Sequence, residues 1–406
     1  MNVVLIAPDY PAEMPRFARG LARVGAQVIG VSERGPESFP RGLRHSLAAH
    51  LRVPDLFGDE GGAVTHLRRE LAGRRIDRVE CLWEPGMILA AQLREALGVP
   101  GLTVEQTLPF RDKERMKQEL DAAGIRTPRH ARARTAAECR GAAERIGFPL
   151  IVKPIAGGGS ADTHRLESMA KLAQVLPRLR HVPEVSVEEF IDGEEFTYDT
   201  VVAGGEILYD NIAWYRPRPL LEKQHEWLSP QVISLRRIDA AELRGGREMG
   251  SGVLDALGYR DGFSHMEWFR KPDGEVVFGE IGARPPGART VDTMNFACDL
   301  DLYTGWAEAV CHGRLSQRVR RLYNAAMITK RARGQGRIQR IEGLERLRAE
   351  LGPRLVCVDL LPVGSPRRDW KLTSVGDGFV MIRDPDLQTT LRLADRVAGE
   401  LQIYAG

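Results

Sequence analysis

The chain has 406 residues, 43% apolar and 28% charged, an ordinary globular composition long enough to bury its own core at about 100–200 residues per domain. Its 58 basic and 55 acidic side chains leave a net charge of +3 with the signs interleaved, which gives no basis for a nucleic-acid partner; the short cluster Arg318–Arg321 reads as a solvated face. Five cysteines without C-x-x-C spacing, an apolar start (Val3–Ala7) too short for a secretion signal, and no run approaching ~18 apolar residues lead to the expectation of a reduced, cytoplasmic protein away from membranes.

In chain order, residues 3–7 (V-V-L-I-A) read as a buried strand. Pro11–Ala26 reads as a helix with Met14, Phe17, Ala18, Leu21 and Val24 on one face, and Val28–Val31 as a second strand. That order is a parallel βαβ unit. Helical Ala63–Gly73, extended Arg78–Trp83 and helical Met87–Leu97 continue the pattern, so residues 1–105 read as a doubly wound α/β domain. The first turn, A-P-D-Y-P-A, lacks the glycines of a dinucleotide site.

G-V-P-G at 98–101 closes that unit. A helix over Phe110–Ala123 stops at Gly124, and Pro128 pushes Thr127 toward an extended state. Ala136–Ile146 reads as a helix and Leu150–Lys153 as a strand. A glycine-rich loop (156–160), a helix over 167–180, and strands at Val185–Phe190, Glu195–Val202 and 275–280 follow. Residues 106–315 thus form an α+β module, with a smaller subdomain over 125–188. From 316 to 406, an extended Ala325–Lys330, a helix over 341–350, strands at 355–361 and 378–383 and a helix over 386–402 form a third, α+β unit. W-K-L-T-S-V-G-D-G at 370–378 reads as a hairpin without assigned chemistry.

Three segments carry candidate chemistry. In L-I-V-K-P-I-A-G-G-G-S a strand delivers Lys153, and Ala156–Ala161 have almost no side chain. Backbone N–H groups of such a loop close over phosphate oxygens while the lysine supplies a point charge; a plain turn is the alternative. In S-V-E-E-F-I-D-G-E-E-F-T a strand edge can pair with an adenine and a following carboxylate can hold ribose hydroxyls, or the acids form a solvated hairpin. H-M-E-W-F (265–269) and V-V-F-G-E-I-G-A-R (276–284) are extended, joined by the turn K-P-D-G, and each sets a glutamate among large apolar residues. A glutamate there is costly to bury unless it binds a cation, and Mg²⁺ takes one or two carboxylates plus substrate phosphates. The alternative is a pair of solvent-facing acids.

These segments, with D-K-x-x-x-K at 112–117, A-G-I-R-T-P, F-P-L-I-V-K-P and G-E-I-G-A-R-P-P-G, resemble in their order the ATP-grasp superfamily, and specifically its carboxylate–amine ligases. The likeness covers residues 98–310 and extends to bacterial L-amino-acid ligases, D-alanine–D-alanine ligase and, more distantly, biotin carboxylase. It implies an N-terminal pre-ATP-grasp domain, a central ATP-grasp fold and a C-terminal lid. It also implies that Lys113 and Lys153 contact ATP phosphates beneath a flap of Gly157, Gly158, Gly159 and Ser160. Glu188 would meet the adenine amino group, the backbone at Glu189 and Ile191 the ring, and Glu195 the ribose. Glu267 and Glu280 would hold Mg²⁺ (or Mn²⁺), and Arg284 would steady the activated carboxylate. One departure is Gly282, where relatives often carry an asparagine ligand; it leaves the number of metal ions open.

The implied reaction activates a carboxylate as an acyl phosphate and passes it to an amine, with release of ADP and phosphate. A carboxylase activating bicarbonate, a kinase of the same fold and a non-catalytic nucleotide-binding module are the alternatives. Retention of both lysines and both glutamates argues against the last. Small-molecule carboxylate and amine partners are expected, and a homodimer from the family alone. For substrate recognition, W-Y-R-P-R-P-L-L-E-K-Q-H-E-W (214–227) gathers Arg216, Arg218, Lys223 and His225 as an anion-binding border, with a solvated loop as the alternative. Arg289 is a second candidate for a substrate carboxylate, and His265 is expected to support Glu267.

Overall fold

The structure, a computed structural model, describes residues 1–155 and 162–406. The N-terminal sheet is parallel throughout: β1 (Asn2–Ile6), β2 (Gln27–Ser32), β3 (Ala49–Arg52) and β4 (Arg78–Cys81), in the order β3-β2-β1-β4. Alternation along β1 serves two cores. Val3 and Leu5 pack with Phe17 and Trp306, and Val4 and Ile6 with Leu67 and Leu89. The first helix, Met14–Arg23, is shorter than its apolar face suggests, because Pro15 suits the opening turn. Strand β3 was not foreseen; the four residues A-H-L-R are too short a run to mark a strand.

A small antiparallel sheet comprises β5 (His130–Ala133), β6 (Leu150–Pro154), β7 (His164–Leu166) and β8 (Val185–Glu189), in the order β5-β8-β6-β7. Behind it lie helices Ala136–Ile146 and Met169–Val175. The second of these is shorter than expected, since Pro177 supplies no N–H and the chain tightens into a 3₁₀ turn, Leu176–Leu179.

The remaining strands are β9 (Glu194–Ala203), β10 (Glu206–Arg216), β11 (Gln231–Ser234), β12 (Gly262–Arg270), β13 (Val276–Gly282), β14 (Asn324–Lys330), β15 (Ile338–Glu342), β16 (Leu355–Leu360), β17 (Gly378–Asp384) and β18 (Gln402–Ala405). Eight of them form one sheet in the order β13-β12-β9-β10-β11-β14-β17-β16, and β15 pairs with β18. Strands from 316–406 therefore extend the sheet that carries the candidate glutamates. Residues 370–377 form turns and bends between β16 and β17 rather than a paired hairpin, and Gly378 opens β17; Asp377 accepts the backbone N–H groups of Ala332 and Arg368.

The two faces of this sheet differ. Phe196, Tyr198, Met266 and Trp268 point into an apolar core with Leu254 and Val397. The opposite face of the same strands carries Thr197, Asp199, Asn211, Tyr215, His265 and Glu267, joined by hydrogen bonds and ion pairs. Helix Arg244–Ala256 lies against the apolar face through glycines. A Cβ on Gly246 would sit 2.2 Å from the Trp268 indole, and one on Gly250 2.1 Å from the Tyr198 ring. Gly250→Ala should therefore destabilise the fold by about 1–3 kcal/mol despite alanine's better helix propensity, read as a lower urea midpoint. An unchanged or raised midpoint would show that the helix can lift without cost. Among the described residues no helix is long and apolar enough to cross a membrane.

Candidate active site

The Asp112 side chain caps helix Lys113–Ala122 by accepting the N–H groups of Glu114 and Arg115, both at 3.0 Å. Lys113 and Lys117, four residues apart, then share one helix face. Lys117 is fully buried. Its Nζ lies 2.8 Å from Glu188 Oε1 and donates to the carbonyl of Lys113. From β6, Lys153 Nζ reaches the other Glu188 oxygen at 2.9 Å, and Ser186 Oγ donates to Oε1. Burial alone would push the Glu188 carboxyl up, but the two ammonium groups hold it far below the usual carboxylate range. Burial also opposes the charge on both lysines. For Lys117 it prevails and lowers the ammonium pKa, whereas for Lys153 the attraction of Glu188 and Glu280 prevails and raises it.

Facing this cluster, Glu267 on β12 and Glu280 on β13 stand directly opposite in the antiparallel register. The register shifts between the pairs Glu267–Glu280 and Trp268–Phe278, which leaves Gly279 as an extra residue on β13 and bends that strand beside Glu280. Lys113 Nζ lies 3.6 Å from Glu280 Oε2. Burial opposes ionisation of Glu280, yet Lys113, Lys153 and Arg284 hold its carboxyl down at about 2. Tyr215 donates to Glu267 Oε1 at 3.3 Å, and His265 Nε2 lies 3.6 Å from the same oxygen. The other nitrogen of His265 is 2.6 Å from Asp199, a fully buried carboxylate that also accepts from Thr197 and Asn211. Despite burial, Asp199 and Glu267 push the imidazole up to about 9. Among the described residues no cluster of three or more His, Cys, Asp or Glu side chains forms a closed metal centre. A carboxylate pair with its remaining positions left to phosphate and water suits Mg²⁺, so these residues fit the ion the sequence implied.

The same cleft is lined on its other side by Phe190, Ile191, Glu195, Arg218, Leu220 and Phe269. The Arg218 guanidinium lies about 5 Å over the rings of both Phe190 and Phe269, at 4.9 and 5.0 Å. It donates to the Ile191 carbonyl at 2.9 Å and pairs with Glu195 at 3.2 Å. Burial, and then repulsion from Glu267, push the Glu195 carboxyl up to about 8 against the pull of Arg218. Glu189 borders the cleft, with its carboxylate held by Arg126 and Arg129.

Arg284 lies near enough to Glu280 to act on its charge and is bound to Glu84 of the N-terminal unit. The other candidates fall elsewhere. Arg216 is on the opposite side of β10 from Tyr215, over Trp214, where it bonds Gln231 and Asp395. The alternation of β10 puts it there. Lys223 and His225 belong to a segment held by Arg331, which donates to the carbonyls of Glu222 and His225; the His225 ring lies tilted against Trp227. Arg289 pairs with Asp292, which also takes Arg16 and Tyr303, and its guanidinium covers Phe379. The structure brings none of these four to the cleft walls described above. Gly157, Gly158, Gly159 and Ser160 lie outside the described residues. Sequence reasoning missed Lys117, although it is the second lysine of D-K-x-x-x-K, and missed Asp199, Glu84 and the Phe190–Phe269 pair.

Comparison with known proteins gives a consistent picture. Residues 21–101 match the family profile described as the ATP-grasp N-terminal domain, and residues 118–296 that of the ATP-grasp domain. The chain is 35% identical over 280 residues to a D-alanine–D-alanine ligase of Ectopseudomonas mendocina, covering 66% of this chain and 86% of that one. It is 28% identical over 294 residues to the L-arginine-specific L-amino acid ligase of Bacillus subtilis, covering 71% and 70%. The crystal structure of an L-amino acid ligase from Bacillus licheniformis superposes with a TM-score of 0.81 at 22% identity, covering 100% of this chain and 98% of that one.

Proposed function

The chain belongs to the ATP-grasp family, and from that premise we propose that it is an ATP-dependent ligase activating a small carboxylate as an acyl phosphate and passing it to an amine. One observation carries this reading. Two lysines, Lys113 and Lys153, and two facing glutamates, drawn from four separate elements, converge on one cleft, with Lys117 buried behind them. Phosphoryl transfer asks the protein for alignment and charge neutralisation rather than covalent chemistry.

In this reading Lys113 and Lys153 meet phosphate oxygens, and buried Glu188 and Lys117 fix Lys153 in place. Phe190 and Phe269 offer faces to the base, Ile191 its carbonyl, and Glu195 its carboxylate to the ribose. Arg218, which now holds those last two groups, must turn aside for a nucleoside to use them. Glu267 and Glu280 would hold Mg²⁺, which when bound supplies charge neutralisation at the phosphates. Arg284 offers a guanidinium to the acyl phosphate, whose lability to water requires a closed site. The substrate pair is read as amino acids, in line with the relatives. Free cysteines, Cys81, Cys139, Cys298, Cys311 and Cys357, support a reducing cytoplasmic setting.

The test is an ADP-release screen over carboxylates, amines and bicarbonate with Mg²⁺, with product masses recorded. ADP released only with both a carboxylate and an amine, and a product mass equal to their sum less water, is the expected result. Release driven by bicarbonate would move the reading to a carboxylase. Tight ATP binding without phosphate release from any carboxylate would remove the ligase reading.

A further inference from the structure

The Glu84 carboxylate belongs to the N-terminal unit, on the turn Glu84–Gly86 just beyond β4, yet it holds Arg284, whose charge acts on Glu280 of the cleft. Oε1 accepts from Arg111 Nη1 at 2.5 Å. Oε2 accepts from Arg284 Nε at 3.1 Å and from Nη2 at 3.0 Å. All three side chains are about four-fifths buried, with exposures of 18%, 18% and 20%.

The orientation of Arg284 is fixed from three sides. Glu84 takes Nε and one hydrogen of Nη2, and the Pro285 carbonyl takes one of Nη1 at 3.0 Å. Gly282 forms the floor: a Cβ there would lie 3.3 Å from Arg284 Cγ and 3.5 Å from Nε. A guanidinium has five N–H donors. Among the described residues, the two left over are one on Nη1 and one on Nη2, the pair able to grip both oxygens of a carboxylate or phosphoryl group.

We infer that Glu84 is the positioning residue for Arg284, holding its free fork toward the carboxylate undergoing activation. The N-terminal unit thereby contributes to catalysis without touching the reacting atoms. Gly282 shares in this, because a larger side chain would press on the arginine stem that Glu84 holds. The inference rests on the ligase reading above.

The experiment uses the full chain with a carboxylate and amine that support ADP release. Glu84→Ala should lower kcat/KM for the carboxylate by about 10²-fold, the scale of a small misplacement, while the Kd of MgATP stays unchanged. Glu84→Gln, closer in shape, offers one acceptor oxygen for two arginines and should fall between; it serves if the alanine variant unfolds. Glu84→Ala placed on an Arg284→Lys background should cause little further loss, because both act through one group. Parental kcat/KM in both Glu84 variants, or losses that add in full on the Arg284→Lys background, would overturn the inference and leave the ligase reading standing. A wild-type chain that releases no ADP with any carboxylate would overturn both.

Discussion

Glu280→Gln should abolish ADP release, with a loss of at least about 10²–10³-fold, the scale seen when one preorganised electrostatic group is removed from a transition state. The substitution keeps the size of the side chain and removes its charge. That charge has two neighbours to satisfy: Lys113 at 3.6 Å, and the ion expected between Glu280 and Glu267. A neutral amide at this place leaves Lys113, Lys153 and Arg284 with an uncompensated field. It also leaves Glu267 alone to hold a divalent cation against water. The loss should appear in kcat, with ATP still bound through Lys113, Lys153 and the nucleoside side of the cleft. Raising Mg²⁺ should recover only part of it, because concentration restores occupancy and not geometry. Turnover within tenfold of the parent enzyme would contradict the metal assignment, and a lost ATP affinity would move Glu280 from the chemistry to nucleotide binding.

Legibility in the sequence followed the range of the interaction. Glutamates such as Glu267 and Glu280 stand out because each interrupts a run of apolar strand residues, and the turn K-P-D-G between them declares the pairing. Lys153 stands out for the same reason, on a strand ahead of glycines. The long-range partners carry no such mark. Glu84 and Arg284 are 200 residues apart, and Asp199 and His265 are 66 apart. Nothing in W-E-P-G or in Y-D-T-V separates these acids from solvated ones. The misplaced candidates fail for a related reason. Arg216 and Arg218 look alike in Y-R-P-R-P, but strand alternation sends the first to the apolar face and the second, past the end of β10, into the cleft. Helix Arg244–Ala256 was overlooked because its glycines argue against a helix locally, while the Trp268 and Tyr198 rings demand them in the packed molecule.

Glu188→Gln should destabilise the fold by about 3–5 kcal/mol at neutral pH, the scale for stripping one partner from a buried ionic cluster. Glu188 is the counter-charge for both Lys117 and Lys153, and neither has solvent to turn to: Lys117 has no exposed surface and the Lys153 side chain little. Glutamine offers one acceptor oxygen where the carboxylate serves two ammonium groups and the Ser186 hydroxyl. The pH dependence follows from the direction of the shift. Because the folded carboxyl of Glu188 is depressed, its contribution is fully present above the unfolded value of about 4.3 and is lost as pH falls below it toward the folded value. The stability gap between parent and Glu188→Gln should thus be level from about pH 8 down to about pH 5 and narrow below about pH 4. Urea unfolding at several pH values measures it. A gap under about 1 kcal/mol at neutral pH would place Glu188 among weakly coupled surface pairs, and a gap that widened in acid would reverse the sign of the assigned shift.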